Sequence, residues 1–211
     1  MSDLDFEDEI SFPSDDILDR ALDPFEVFFD WYKQAEIRDN LANAAVLSTV
    51  RADQKPSSRY VLIKDVSRDK GFVFYTNLNS NKSKEIFVNP YVSICFFWLF
   101  SGRQVRVIGR ANLLSDSEAD EYFRTRPRLS QISAWASDQS SPVESYEVLK
   151  KRFYEFLEKF KGQEVPRPPW WKGFYVIPEE FDFLIYTLFR LHKRVQFVMK
   201  NGIWLKTYLC P

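Results

Sequence analysis

Histidine occurs once in the 211 residues, at His192, and cysteine twice, at Cys95 and Cys210. One imidazole and two thiols are too few for a multi-histidine or cysteine metal site, and too few for a disulfide framework. Glycine is also scarce, with six in the whole chain. GxGxxG is absent, and so is GxxxxGK followed by Ser or Thr, so Rossmann and P-loop folds lose their main support. The formal net charge is −1, so no excess of positive charge points to nucleic acid. No apolar run approaches the roughly 18 to 20 residues that a membrane span needs. The N-terminus is acidic, unlike a secretory or mitochondrial presequence. These absences predict a soluble protein of a reducing compartment, the cytoplasm, with neither membrane nor nucleic acid as partner.

Apolar surface, by contrast, is plentiful: 45% of residues are hydrophobic and 17% aromatic, enough for a sizeable core. The stretch MSDLDFEDEISFPSDDILDRALD holds nine acidic residues and one basic residue. Residues 1 to about 22 therefore read as an acidic tail, mobile or loosely docked, and the folded body as residues 23–211. In the body, Asp23, Pro24 and Glu26 carry the signature of a helix start, and Phe28, Trp31, Tyr32 and Ala35 then share a face. Residues 44–52 and 57–66 read as a hairpin, and 71–77, 91–100 and 103–114 as further strands. A short helix from about Ser80 stops before Pro90. Ser115 and Glu118 form a capping box, and a third helix is expected from Ser141 to Gly162. The chain closes on strands at GFYVIP, FDFLIYTLF, RLHKRVQFVMK and IWLKTYL, with Asn201-Gly202 between the last two as a type I′ hairpin turn. Seven or eight strands with short connections predict a mainly β (α+β) fold: an antiparallel, closed or nearly closed barrel with flanking helices.

Cations recur near the ends of these strands. If 190–199 is a strand, Arg190, His192, Arg194 and Gln196 share one face. Two guanidiniums and an imidazole make poor core and a good grip on an anion. Arg59 and Lys64 flank another apolar strand. Thr76, Ser80 and Lys82 gather at a helix start, where free N–H groups suit phosphate. Tyr122, Arg126 and Ser130, then Gln139 and Ser140, add further donors. Together they could serve two phosphates.

The segments DPFEVFFDWYKQA, RYVLIK, FVFYTNLNSNK, NPYVSICFFW, RQVRVIGRA, YFRTRPRLSQISAWASDQSS, VPRPPWWKGF and RLHKR resemble the pyridoxine (pyridoxamine) 5′-phosphate oxidases, in family order from residue 23 onward. The resemblance implies an FMN-binding split β-barrel oxidase domain over residues 23–211. It also implies a homodimer with FMN at the subunit interface. Cofactor contacts would come from Arg59, Tyr60, Val61, Leu62, Ile63, Lys64, Tyr75, Thr76, Lys82, Gln104, Gln139, Ser140 and Arg194. Lys64, Tyr122, Arg126 and Ser130 would hold the substrate phosphate. Arg190 and His192 would sit over the pyridine ring as the catalytic pair. The implied reaction is oxidation of pyridoxamine or pyridoxine 5′-phosphate by O2 to pyridoxal 5′-phosphate, with peroxide as by-product and no metal.

Three positions depart from the family pattern. Leu184, Ile185 and Tyr186 stand where WQG is expected, so Leu184 takes the place of a flavin-contacting tryptophan. RLHKR replaces RLHDR, and Asn81 stands where an arginine usually precedes the phosphate lysine. These departures define the alternative: a divergent relative that binds FMN or pyridoxal 5′-phosphate without efficient turnover.

Overall fold

The structure is a computed structural model and describes residues 14–211. The described chain divides into two compact units. The first runs through Val46 and includes Ser93–Ile108 and Pro178–Pro211; the second comprises Leu47–Val92 and Gly109–Ile177. Nine strands follow the hydrogen-bonded order β2-β1-β5-β6-β7-β4-β3, with β8 on β7 and β9 on β8. They are β1 (Ala44–Val50), β2 (Pro56–Leu62), β3 (Asp65–Ser67), β4 (Gly71–Asn77), β5 (Tyr91–Trp98), β6 (Arg103–Leu113), β7 (Trp171–Ile185), β8 (Lys193–Lys200) and β9 (Ile203–Tyr208). The β3–β4, β4–β7, β7–β8 and β8–β9 pairs are antiparallel.

The second unit carries α3 (Asn81–Val88), α4 (Asp116–Thr125), α5 (Arg128–Ala136) and α6 (Tyr146–Lys159). Its sheet core is aromatic, with Phe74 and Phe174 stacked at 5.8 Å. A helical cluster of Phe123, Ile132, Phe160 and Val165 closes over Trp171. Ser115 caps α4 as expected, with the reciprocal Glu118 bond present. The third helix begins later than expected, at Tyr146, because the Ser145 side chain supplies the cap. The sequence reading had no helix at α5. Pro127 ends α4 and, with φ of −53°, starts α5 instead of merely breaking the chain.

The first unit holds α1 (Asp16–Arg20) and α2 (Pro24–Glu36). Asp23 accepts from Phe25 N–H at the start of α2, and Pro24 occupies the first turn. One face of α2 then buries Phe25, Phe28 and Trp31. These pack on Phe181, Phe96 and Phe183 at 5.2–5.3 Å between ring centres. The acidic tail expected over residues 1–22 needs a correction where it is described. Leu18 of α1 is fully buried, and Asp15 accepts from Trp31 Nε1 at 3.0 Å and from Arg103 at 2.8 Å. Burial of Leu18 and pairing of Asp15 dock this helix despite its negative charge. Residues 1–13, on which most of that expectation falls, lie outside the described residues.

Two further expectations change at the C-terminal end. The strands expected at GFYVIP and FDFLIYTLF are one, β7. Its first half pairs with β4 and its second half with β8, and Pro178 falls at the changeover, where neither ladder needs its missing N–H. The strand expected from residue 190 begins only at Lys193. Phe189 and Arg190 have φ of 61° and 63°, which no strand residue adopts. Arg190 and His192 therefore share no strand face with Arg194 and Gln196. The Asn201-Gly202 turn is as read: both φ are positive, at 53° and 81°.

Candidate functional site

A cavity of about 500 Å³ opens within the second unit. Tyr60, Val61 and Leu62 approach it from β2, with Lys64 just beyond. Tyr75 and Thr76 come from β4, Lys82 from α3, Tyr122 from α4, Arg126 and Ser130 from either side of Pro127, and Gln139 from the loop before α6. These are eleven of the residues expected from the sequence. The cavity also has Thr125, Pro127 and Trp171 in its wall. Trp171 lies within the quoted PPWWKG stretch but carried no separate signal there.

The polar floor is built around Lys82. Its ammonium is buried, 8% exposed, and donates only to hydroxyls: Thr76 Oγ1 at 3.1 Å and Ser80 Oγ at 3.3 Å. Gln139 Oε1 accepts from Thr76 Oγ1 and from Asn77 N–H, fixing that hydroxyl. Burial, and then the nearby Arg59 charge, pull the Lys82 ammonium down to about 8. Among the described residues Lys82 takes part in no salt bridge. A buried cation with hydroxyl partners at a helix N-terminus has the chemistry to bind an anion.

Arg126 is the second cation of the cavity, and is half-buried. Its guanidinium lies over the Trp171 ring at 4.7 Å, and its buried Nη1 has no hydrogen-bond partner. Burial holds Arg126 below the ordinary guanidinium range. Beside it three rings stack. Tyr75 and Tyr122 lie 4.0 Å apart at 8°, and Tyr75 and Trp171 lie 5.1 Å apart at 5°. Burial pushes the Tyr75 hydroxyl up to about 12, so it remains a neutral donor at physiological pH.

Gly173 makes this stack possible. It sits directly across the ladder from Tyr75, and a Cβ there would lie 2.5 Å from Leu114 Cδ1 and 2.8 Å from Tyr75 Cδ1. Gly173→Ala is expected to displace the Tyr75 ring and cost about 1–3 kcal/mol of stability. Thermal unfolding with a near-ultraviolet aromatic signal measures both effects.

The other expected residues lie outside this wall. In the same unit, Arg59 is held by Glu85 at 3.0 Å, Thr49 at 2.5 Å and Ser57 at 2.6 Å. Ile63 is buried, and Ser140 Oγ accepts from Asn81 N–H at 3.3 Å. Gln104, Leu184, Arg190, His192 and Arg194 belong to the first unit. There Arg194 binds both oxygens of buried Asp182, at 3.0 and 2.6 Å, a carboxylate shared with Arg106. His192 is half-buried. Its Nδ1 accepts from Thr187 N–H at 3.1 Å, and its ring lies 4.8 Å from Tyr186.

A larger hollow of about 840 Å³ beside the end of α6 suits an anion less well. Its charges are mixed, and Arg128 there is already tied to the carbonyls of Phe160 and Gln163. Among the described residues no group of three His, Cys, Asp or Glu could hold a metal, and no helix is long and apolar enough to cross a membrane.

In fold, the chain is an antiparallel FMN-binding-type split barrel. Its structure superposes on a pyridoxamine 5′-phosphate oxidase-related, FMN-binding protein from Nostoc punctiforme with a TM-score of 0.73, at 15% identity, covering 90% of this chain and 100% of that one. PhzG from Burkholderia lata, solved with tetrahydrophenazine-1-carboxylic acid, matches at a TM-score of 0.87 and 28% identity, covering 96% of this chain and 98% of that one. The family model described as pyridoxamine 5′-phosphate oxidase matches residues 34–160. A pyridoxine/pyridoxamine 5′-phosphate oxidase of Nostoc punctiforme is 44% identical, covering 92% of this chain and 91% of that protein. The chain belongs to the pyridoxamine 5′-phosphate oxidase family.

Proposed function

We propose that this protein is a cytoplasmic FMN-dependent oxidase that converts pyridoxamine or pyridoxine 5′-phosphate to pyridoxal 5′-phosphate, serving vitamin B6 biosynthesis or salvage. The observation that carries the proposal is a pair of cations without a salt-bridge partner among the described residues in one cavity: buried Lys82, and half-buried Arg126 with its buried Nη1 unbonded. Two phosphates would complete them. The donors fit FMN: Lys82, the α3 N-terminus and the Gln139-anchored Thr76 would hold its phosphate end. Arg126, with Tyr122, Ser130 and Lys64, would hold the substrate phosphate. When bound, FMN would supply the redox chemistry: two-electron oxidation of the substrate carbon by hydride transfer, with dioxygen as the final acceptor and peroxide as by-product.

The chain contributes position and charge. Arg190 is exposed, and among the described residues it makes no hydrogen bond or ion pair, so it is available for the substrate ring. His192, with Nδ1 accepting from Thr187, carries its proton on Nε2 and acts as a donor. Asp182 holds the Arg194 guanidinium in a fixed plane, suited to a flavin edge. A homodimer with FMN at its interface belongs to the same proposal, with 23–211 as the oxidase domain.

A second reading rests on residues 184–186. Leu184, Ile185 and Tyr186 replace the family's WQG, and the Tyr186 ring packs on His192 and Phe97. A reshaped wall of this kind fits a relative that binds FMN or pyridoxal 5′-phosphate with little turnover, or one that takes a bulkier ring, as the PhzG complex does. Purified protein that is yellow, and that consumes oxygen with pyridoxamine or pyridoxine 5′-phosphate, supports the first reading. Protein that stays colourless after FMN loading defeats it. Yellow protein that is inert with both substrates selects the second. Within the first reading, Arg190→Ala is expected to lower kcat/KM by about 100-fold while FMN affinity stays within about twofold. Equal loss of both shows that Arg190 serves the flavin instead.

A further inference from the structure

The turn that carries Arg190 and His192 has an uncommon shape. Phe189 and Arg190 are consecutive left-handed residues, at φ 61° and 63°, a conformation that persists only where the surroundings over-determine it. Both are exposed, so burial of their own side chains does not hold them. Three ties do, all within the first unit. Before the turn, Tyr186 N–H donates to Gly102 O at 2.8 Å. Across it, Thr187 N–H donates to His192 Nδ1 at 3.1 Å. After it, Lys193 Nζ donates to Asp19 Oδ2 at 2.6 Å, with the lysine side chain only 17% exposed.

Asp19 is more than a passing surface charge. Its other oxygen accepts from the Tyr208 hydroxyl at 2.9 Å. Lys206 closes the same end of α1, donating to the carbonyls of Leu18, Asp19 and Ala21 at 2.6, 2.7 and 3.2 Å. The helix is anchored independently of Asp19, through buried Leu18 and the Asp15–Arg103 pair. A fixed helix thus presents a carboxylate to Lys193, the residue that replaces the acid of the family's RLHDR. An acid at 193 would meet repulsion here; the lysine finds a partner.

We propose that Asp19 is a positioning residue: through Lys193 it clamps the turn over residues 187–193 in the shape that presents Arg190 and the His192 Nε2–H together. The role given to Arg190 and His192 rests on the oxidase reading above; the clamp itself does not. Asp19→Asn and Lys193→Met in the full chain test it, with Asp19→Glu as the conservative variant. Two readouts are independent of turnover: hydrogen exchange at the Thr187 amide, and tryptic cleavage after Arg190. Both are expected to accelerate about tenfold in the two disrupting variants. kcat should fall about tenfold, with FMN affinity and the thermal midpoint nearly unchanged. Asp19→Glu should recover most of each. Unchanged exchange and cleavage in both disrupting variants overturn the clamp. Faster exchange with unaltered kcat, in an active wild type, overturns the positioning role. A wild type inert with both phosphorylated substrates defeats the oxidase reading, while exchange and cleavage still decide the clamp.

Discussion

Lys82→Met is expected to weaken FMN binding by about 100-fold while making the flavin-free protein more stable. The two effects have one cause. Lys82 is buried with hydroxyls as its hydrogen-bond partners, and nearby Glu85, already bonded to Arg59, offsets its burial only in part, so its charge is held at a desolvation cost that a bound anion would reduce. Folding lowers its value from 10.5 to about 8, which corresponds to roughly 3 kcal/mol against the charged form. Methionine keeps the stem and removes the charge. The loss of two donated hydrogen bonds offsets part of the gain, leaving a rise in thermal midpoint of about 5 °C. Because the unfolded chain holds this proton more tightly, the cost is fully present below pH 8. Stability of the flavin-free wild type should therefore rise between pH 8 and 10.5, and this rise should vanish in Lys82→Met. FMN affinity should move the opposite way, falling above pH 8 as the ammonium is lost. Fluorescence titration of FMN and thermal scans across pH measure both. A variant that binds FMN normally removes Lys82 from the phosphate site.

Arg126→Met should raise KM for a phosphorylated substrate by about 100-fold, with FMN affinity largely intact. The guanidinium lies over Trp171 and is partly desolvated, and its buried Nη1 has no protein partner. An incoming phosphate would gain a charge-assisted bond at a reduced further burial cost. Methionine retains contact with the ring but offers no donor. The discrimination between a phosphorylated substrate and its dephosphorylated counterpart should collapse by the same factor. If Arg126→Met alters FMN affinity and leaves KM alone, the two cations have been assigned to the wrong phosphates. Gly173→Ala, which perturbs the Tyr75–Trp171 stack from beneath, should instead weaken both ligands together.

Much of the fold was legible because it depends on local chemistry. Strand β4 was read with both ends correct, since Gly71 and Asn77 bound an apolar run. The Asn201-Gly202 hairpin and the Ser115–Glu118 capping box need only neighbouring residues to form. Helix α5 was not legible: a proline after Arg126 reads equally as a stop or as a start, and only its packing over Phe123 and Trp171 decides. The strand placed at 190 failed for a related reason. RLHKRVQF alternates like a strand, but two left-handed residues interrupt it before Lys193, and no periodicity announces them.

The candidate site divides the same way. Its cations were legible as residue types in a pattern, and the family membership that they pointed to holds. Which of them remain without a carboxylate was not. Arg59 and Arg194 are as basic in sequence as Lys82 and Arg126, yet Glu85 and Asp182 neutralise the first two. Sequence by itself determined the family, the strand-rich architecture and the stock of donors, because those follow from residue identity and near neighbours. Only tertiary structure decided which donors stay unpaired and which residues lock the RLHKR turn, because partners such as Asp182 and Asp19 come from distant chain segments, and charge pairing depends on distance in space.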